Sequence, residues 1–135
     1  MEKDNKTLRK VLVFDLGGGT FDISILTIEK TKFIVKATLG DAHLGGIYFD
    51  NKIINYCIKD FCQNMNVNEN DIKKDVNALR RLRIYCEKAK NRLSKNNKTE
   101  INIYNFYSSL DLYVEMTRER FNEECDDFFK KNKKF

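Results

Sequence analysis

The chain has 135 residues, 41% hydrophobic and 33% charged, which favours one compact domain or two small subdomains over a disordered chain. Its net charge of +5 lies at its ends, with residues 11–129 close to neutral, so the body lacks the basic field typical of nucleic-acid binding. No apolar run could span a bilayer and residues 1–10 lack the apolar segment of a secretory signal, so we expect a soluble chain with no membrane partner.

The first third of the chain favours strands. We expect a disordered lead over residues 1–10, then a buried strand in the apolar run 11–15. Residues 20–28 and 32–38 are rich in β-branched and aromatic side chains and are separated by a lysine-rich break. These segments predict an antiparallel meander over residues 10–38.

The rest of the chain favours helices and one hairpin. Apolar side chains recur every three or four residues over 47–64 and 70–94, which predicts two amphipathic helices. Strict alternation on both sides of a Tyr-Ser-Ser turn predicts a hairpin ending near residue 116. A last helix over 117–129, capped by Thr117, leads into a basic tail at 130–135. The predicted fold is α+β, with residues 39–116 as a second, helix-rich unit.

Four cysteines lack the dense spacing of a disulfide-stapled secreted domain. They are Cys57, Cys62, Cys86 and Cys125, and they occupy apolar or helical positions. We expect reduced, buried thiols rather than a zinc site, since the single histidine, His43, is far from most of them in sequence.

The segment Asp15–Asp22 places two carboxylates and the Thr20 hydroxyl around three consecutive glycines. Glycines let a backbone approach a polyphosphate closely, and a carboxylate at a strand end can hold a hydrated magnesium ion. The alternative is an ordinary glycine-rich hairpin turn. The pattern matches neither a Walker A loop nor a dinucleotide-binding fingerprint.

A second glycine turn, Asp41–Gly46, opens onto the first predicted helix. The N–H groups and dipole of a helix start favour an anion, so Gly46 is a candidate phosphate contact. The alternative is a simple helix-start or hinge turn, and His43 is expected to be a hydrogen-bonded turn residue.

Glu87, Lys90 and Ser94 share one narrow stripe of the second long helix, at spacings of three and seven. An acceptor, a cation and a hydroxyl together suit ribose hydroxyls and the polar edge of a base. The alternative is an exposed face that carries one weak ion pair.

Several motifs follow one another in a specific order. They are FDLGGGTFD at 14–22, GDAHLGG at 40–46, RRLR at 80–83, EKAK at 87–90 and TRERF at 117–121. In this order they resemble the ATPase domain of DnaK-type heat-shock chaperones, the seventy-kilodalton class, over about residues 10–129. RRLR, Cys86 and the LDLY run at 110–113 look most like cytosolic members, which implies a cytoplasmic location. The resemblance implies part of lobe II of an actin-like, ribonuclease H-like ATPase, with inner-subdomain strands at 10–38, an outer subdomain at 39–116 and a helix at 117–129 that returns to the inner subdomain.

The resemblance also implies roles for individual residues in binding ATP or ADP with Mg²⁺ and a monovalent cation such as K⁺. Asp15 would serve the metal and the attacking water, as the catalytic residue, and Asp22 would lie near a metal. Phosphate contacts would come from Gly18, Gly19, Thr20 and Gly46, and adenosine contacts from Glu87, Lys90, Asn91 and Ser94.

The chain departs from the family pattern at three positions. Ile47 and Tyr48 stand where the family usually has acids. Asn91 replaces an arginine that packs on adenine, so we expect weaker adenine binding. The family's first phosphate loop and catalytic lysine lie outside these residues, so we expect negligible ATP turnover from this chain, although the parent would be an ATPase.

Two function classes remain open from the sequence. In the first, the chain is the nucleotide-binding lobe of a stress-response chaperone, whose parent uses ATP hydrolysis to fold client proteins bound by another domain. In the second, it is a protein-interaction module for nucleotide-exchange factors and other co-chaperones, or a degenerate paralogue without ATPase activity. A sugar kinase or actin-like filament protein would keep the glycine loop but not the motif series. Open strand edges also predict self-association.

Overall fold

The computed structural model describes residues 8–132, which form two compact units divided after Tyr48. Residues 1–7 of the predicted lead and residues 133–135 of the predicted tail lie outside the described residues. The fold mixes antiparallel sheets with helices, as the sequence predicts.

The first unit is a three-stranded antiparallel sheet in the order β1-β2-β3, which confirms the predicted meander. Its strands are β1 (Arg9–Leu16), β2 (Phe21–Glu29) and β3 (Lys32–Asp41). The first strand therefore begins inside the segment predicted as a lead. Tight connections keep consecutive strands adjacent, and Lys30 adopts a positive φ of 53° in the second of them.

The prediction that residues 11–15 form a buried strand is wrong. Leu12 is 64% exposed and Phe14 61% exposed, although Phe14 packs edge-on against Phe21. An apolar run predicts burial because such strands usually have layers on both faces. Residues 8–48, the described part of the first unit, comprise three strands and a helix start, so they provide no second layer of their own to cover these side chains.

The second unit begins with three helices, α1 (Gly46–Met65), α2 (Glu69–Lys74) and α3 (Val76–Leu93). The single helix predicted over 70–94 is divided at Asp75. Its carboxylate accepts from the N–H groups of Asn77 and Ala78, while its own N–H donates to the Ile72 carbonyl. One aspartate thus ends α2 and caps α3, because a side-chain acceptor satisfies the orphan donors of a helix start.

The hairpin β4 (Lys98–Tyr107) and β5 (Leu110–Thr117) follows, as predicted. Ser108 and Ser109 both have positive φ values, the conformation that matches a two-residue turn to the twist of the strands. The helix predicted over 117–129 is two helices, α4 (Arg118–Glu124) and α5 (Asp126–Asn132), which separate at Cys125. Thr117 caps α4 as predicted, with its hydroxyl accepting from the Arg120 N–H.

The main core lies in the second unit, where α1, α3 and the hairpin bury their apolar faces. All four cysteines are buried and free, as predicted. The pKa of the Cys57 thiol is raised mainly by its hydrogen bond with Cys86 and, to a smaller extent, by burial. Burial raises the pKa of the Cys125 thiol to about 11. These two thiols are therefore protonated at neutral pH. Within residues 8–132, no helix combines the length and the apolarity needed to cross a bilayer.

Candidate functional site

The candidate residues of the first unit surround the glycine loop, defined as Gly17–Thr20, between β1 and β2. The Gly17 N–H donates to the Thr20 carbonyl at 2.9 Å, which closes the turn. A Cβ atom built on Gly18 or Gly19 would meet no other atom within 4 Å. This side of the loop is therefore open, and its backbone can be approached closely by a ligand.

Asp15 and Asp22 stand directly opposite each other in the antiparallel register of β1 and β2. Opposed residues lie on the same face, with Cβ atoms about 4.5–5.5 Å apart, and two like charges at that spacing destabilise a sheet. A bound cation would remove this repulsion. Magnesium characteristically takes one or two carboxylates and fills its other positions with waters and phosphate oxygens, so this pair fits it.

Gly40 extends this row onto the third strand. It pairs with Asp22, and a Cβ atom there would lie 2.5 Å from Asp22 Oδ1. A side chain at position 40 would therefore displace the carboxylate. Because Gly40 has no side chain, the Asp22 carboxylate can occupy the face of the sheet that it shares with Asp15.

The start of α1 is joined to the glycine loop by two backbone hydrogen bonds. The Gly46 and Ile47 N–H groups donate to the Gly17 and Gly18 carbonyls at 3.0 and 2.8 Å. A Cβ atom on Gly45 would lie 2.5 Å from the backbone of Gly18, so the close approach requires glycine. The helix start thus holds the loop in shape, and a phosphate contact by Gly46 stays a prediction.

His43 lies in the turn before α1, where its backbone N–H donates to Asp41 Oδ1 at 2.8 Å. The carboxylate shapes the chain by accepting from a residue two positions ahead, as aspartates in turns often do. The hydrogen bond of position 43 is therefore made by its backbone, and its side chain is exposed.

A separate group of candidate residues, in the second unit, is the α3 stripe, defined as Glu87, Lys90, Asn91 and Ser94. Glu87 and Asn91 are exposed. Lys90 Nζ lies 2.7 Å from Asp50 Oδ1 on α1, and the two side chains are only 22% and 17% exposed. The Ser94 hydroxyl donates to the Asn91 carbonyl at 2.7 Å and keeps its lone pairs for another donor.

Sequence reasoning missed Asp50. It precedes Lys90 by 40 residues, and helical periodicity reveals neighbours within one helix but not across two. A carboxylate on the otherwise apolar inner side of a helix was the available signal, because a half-buried acid needs a partner.

Sequence reasoning also missed the role of Arg118 at the end of α3. Its guanidinium donates from Nε and Nη2 to the Leu93 carbonyl at 3.0 and 2.8 Å, and from Nη2 to the Asn96 carbonyl at 3.0 Å. Leu93 is the last residue of α3, where helix carbonyls lack intrahelical partners, and Asn96 lies in the turn that follows. Arg118 therefore fixes the turn that contains Ser94.

An open cavity of about 1050 Å³ lies beside Arg118, lined by the start of β4, by α4 and by the first residue of α5. Its lining includes Lys98, Glu119 and Asn122 but none of the predicted site residues. Over residues 8–132, no three histidine, cysteine or acidic side chains cluster in a way that could hold a metal.

Comparison with known proteins places this geometry in a family. The family model described as Hsp70 protein matches residues 1–135. "Heat shock 70 kDa protein 2" of Paracoccidioides lutzii is 46% identical over 96% of the chain, which covers 19% of that relative. "Heat shock cognate 70 kDa protein 3" of Dictyostelium discoideum is 47% identical over 89% of the chain, which covers 19% of that relative. "Putative heat shock 70 kDa protein 7" of Homo sapiens is 44% identical over 90% of the chain, which covers 32% of that relative.

The chain thus spans about a fifth of the length of the fungal relatives that it matches. The match by the family model over all 135 residues agrees with the ordered motifs and with the mixed fold of antiparallel sheets and helices. The chain belongs to the Hsp70 family.

Proposed function

We propose that this chain is a nucleotide-binding lobe segment of a DnaK-type chaperone, which binds ATP or ADP with Mg²⁺. The observation that carries the proposal is the opposition of Asp15 and Asp22 beside the open glycine loop. A hairpin turn without a ligand would gain nothing from two facing carboxylates, whereas a metal–phosphate site needs them. Family membership supports the same assignment.

In this proposal the first unit binds the phosphates and the metal. The backbone of Gly18 and Gly19 approaches the phosphates, the Thr20 hydroxyl donates to a phosphate oxygen, and Gly46 lies near the nucleotide. Asp15 and Asp22 orient the waters around Mg²⁺, and Asp22 also suits a monovalent cation such as K⁺. Bound Mg²⁺ would supply the charge that neutralises the phosphate oxygens. Asp15, as the catalytic residue, orients the attacking water in the parent enzyme.

The α3 stripe binds adenosine in this proposal. Glu87 accepts from ribose hydroxyls, and Lys90 and Ser94 offer a cation and a hydroxyl to the polar edges of the nucleoside. Asn91 contributes an amide in place of a stacking guanidinium, which lowers the affinity for adenine. The Asp50 contact, which holds Lys90 at 2.7 Å, supports a defined position for this cation.

Isothermal titration of the chain with Mg-ADP tests the proposal. We expect millimolar or tighter binding, with a large loss in both Asp15→Ala and Lys90→Ala. Lys73→Ala is a matched control, because Lys73 forms an exposed ion pair with Glu69 on α2. Absence of binding in the parent chain, or equal binding in all variants, would contradict the proposal.

The parent's activity extends the proposal. We expect ATP hydrolysis that drives client folding in the full-length chaperone, with nucleotide-exchange factors and co-chaperones as partners. Negligible turnover is expected from these 135 residues, since phosphoryl transfer needs positioning from both sides of the phosphate. An ATPase rate equal to that of an intact chaperone domain, measured on pure chain, would refute this expectation.

A further inference from the structure

The turn that follows α3, residues 94–97, carries Ser94 and connects the helix to β4. The Asn96 backbone N–H and the Asn96 side-chain amide both donate to the Arg92 carbonyl, at 2.9 and 3.1 Å. The turn therefore directs its own donors to a carbonyl inside the helix. The next carbonyl, that of Leu93, takes its hydrogen bonds from a residue distant in sequence, because the last carbonyls of a helix have no partner within it.

Arg118, the first residue of α4, supplies these hydrogen bonds. Its backbone N–H donates to the Asn97 carbonyl at 2.8 Å. Its Nη2 donates to the carbonyls of Leu93 and Asn96 at 2.8 and 3.0 Å, and its Nε donates to Leu93 at 3.0 Å. The acceptors come before and after Ser94 in the chain, so one residue holds the turn on both sides of Ser94.

The Arg118 guanidinium acts through its geometry rather than through an ion pair in these contacts. Its acceptors are neutral carbonyls at the C-terminal end of α3, where the helix dipole favours a cation. The planar fork sends two N–H groups to one carbonyl while Nη2 also reaches a second carbonyl. A lysine ammonium would keep the charge but not this arrangement.

The Ser94 hydroxyl depends on this turn for its place on the α3 stripe. Ser94 Oγ donates to the Asn91 carbonyl at 2.7 Å, and the backbone of Ser94 is still helical, with φ −65° and ψ −25°. Helix ends fray, so a last turn keeps this geometry only where something holds it. Asp50 on α1 holds Lys90, and Arg118 on α4 holds the turn of Ser94. Two different elements thus fix the stripe at two points.

We propose that Arg118 is a positioning residue for adenosine binding, which acts by holding the Ser94 hydroxyl where a nucleoside can reach it. This inference rests on the proposed function of the α3 stripe. Because Arg118 acts through Ser94, loss of either side chain should remove the same contribution to binding.

A double-mutant cycle on the full 135-residue chain tests this coupling. In titration calorimetry with Mg-ADP, we expect the affinity to fall about three- to tenfold in Ser94→Ala and about threefold in Arg118→Lys, because each change weakens one hydrogen bond to the nucleoside. The double variant should bind no more weakly than Ser94→Ala alone. Losses that multiply in the double variant would overturn the proposal, since Arg118 would then act independently of Ser94.

Two controls separate positioning from a general loss of structure. Mg-tripolyphosphate has no adenosine, so its affinity should be the same for the parent chain, Ser94→Ala and Arg118→Lys. Equal fold losses for Mg-ADP and Mg-tripolyphosphate would contradict the proposal. Arg120→Lys is the matched variant, because Arg120 lies on the same helix in an exposed ion pair with Glu123, and it should leave the affinity for Mg-ADP unchanged.

Nitrogen-15 relaxation gives a second readout that needs no nucleotide. Arg118→Lys should lower the backbone order parameters of residues 94–97 from about 0.85 to about 0.6 or less, while residues 78–86 of α3 stay rigid. Arg118→Gln keeps a planar N–H donor, so it replaces the lysine variant if that variant folds poorly, and it should loosen the same turn. Unchanged order parameters would overturn the proposal. If the turn loosens but the parent chain binds no Mg-ADP, the proposed function fails while the hold of Arg118 on Ser94 stands.

Discussion

The two units of the molecule differ in where their apolar side chains lie. In residues 49–135, α1, α3 and the hairpin enclose a core in which Leu82, Cys86 and Leu112 are fully buried. In the described part of the first unit, residues 8–48, apolar side chains are about as frequent on the strands as they are in the second unit. Most of these apolar side chains are nevertheless exposed. Apolar content alone therefore does not make a core, because burial needs a second layer of structure to pack against.

The same comparison separates stability from chemistry. The sheet unit holds the opposed carboxylates and the open glycine loop, whereas the helical unit holds the packed core and a stripe stabilised by Asp50 and Arg118. We infer that the second unit resists unfolding more strongly than the first. The predictions below test this difference, from the largest effect to the smallest.

A matched pair of leucine truncations should separate the two units most clearly. Leu82→Ala, at a fully buried position on α3, should lower the free energy of unfolding by about 2–5 kcal/mol, because it opens a cavity. Leu39→Ala on β3, where the side chain is 45% exposed, should cost roughly 1 kcal/mol or less. Urea denaturation at low protein concentration measures both. Equal losses would contradict the inferred difference.

Arg118→Lys should destabilise the end of α3 by about 1–3 kcal/mol. Lysine keeps the charge but lacks the planar fork that reaches two carbonyls, so acceptors lose their partners. Hydrogen exchange at residues 93–97 should accelerate. Arg120→Lys is the control, since Arg120 makes an exposed ion pair with Glu123. If both variants exchange at the parent rate, Arg118 has no such role.

Asp50→Asn should weaken Mg-ADP binding about three- to tenfold, because Lys90 loses the carboxylate that holds it, a change of roughly 1 kcal/mol. Titration calorimetry gives the affinities. Asp127→Asn is the matched control. Asp127 on α5 forms an ion pair at 2.8 Å with Lys52, which lies on α1 as Asp50 does. An unchanged affinity for Asp50→Asn, in a parent chain that binds, would show that Lys90 needs no such positioning.

Asn91→Arg should have the smallest effect, a gain in nucleotide affinity of about two- to fivefold. A guanidinium on the adenine face contributes on the order of 0.5–1 kcal/mol at an exposed position. The comparison of Mg-ADP with Mg-tripolyphosphate isolates the adenine contribution. A gain with tripolyphosphate as large as that with ADP would assign the effect to charge rather than to stacking.

Local sequence patterns predicted the positions of the helices and strands better than they predicted how these elements pack against each other. Strand alternation and helical spacing placed the meander, the hairpin and the cap at Thr117, because these signals depend on nearby residues. The break at Asp75 was missed, since a capping acid inside a periodic pattern resembles an ordinary exposed residue. Pairings such as Asp50 with Lys90 depend on how helices pack, which no single segment encodes.

The candidate site shows the same limit. The order of motifs located Asp15, the glycines and the α3 stripe in the sequence. The direct opposition of Asp15 and Asp22 and the use of the Gly46 N–H by the Gly17 carbonyl emerged only from the folded register.

The most direct test of the central claim is paramagnetic mapping of the metal by nuclear magnetic resonance. Mn²⁺ with ADP, used in place of Mg²⁺, should broaden the amide signals of Asp15, Gly18, Gly19 and Asp22 first, while buried positions such as Leu82 stay sharp. The Asp15→Asn variant should show no such selective broadening. Broadening centred on Glu119 and Glu123, or spread evenly over acidic surface residues, would contradict a metal–phosphate site at the glycine loop.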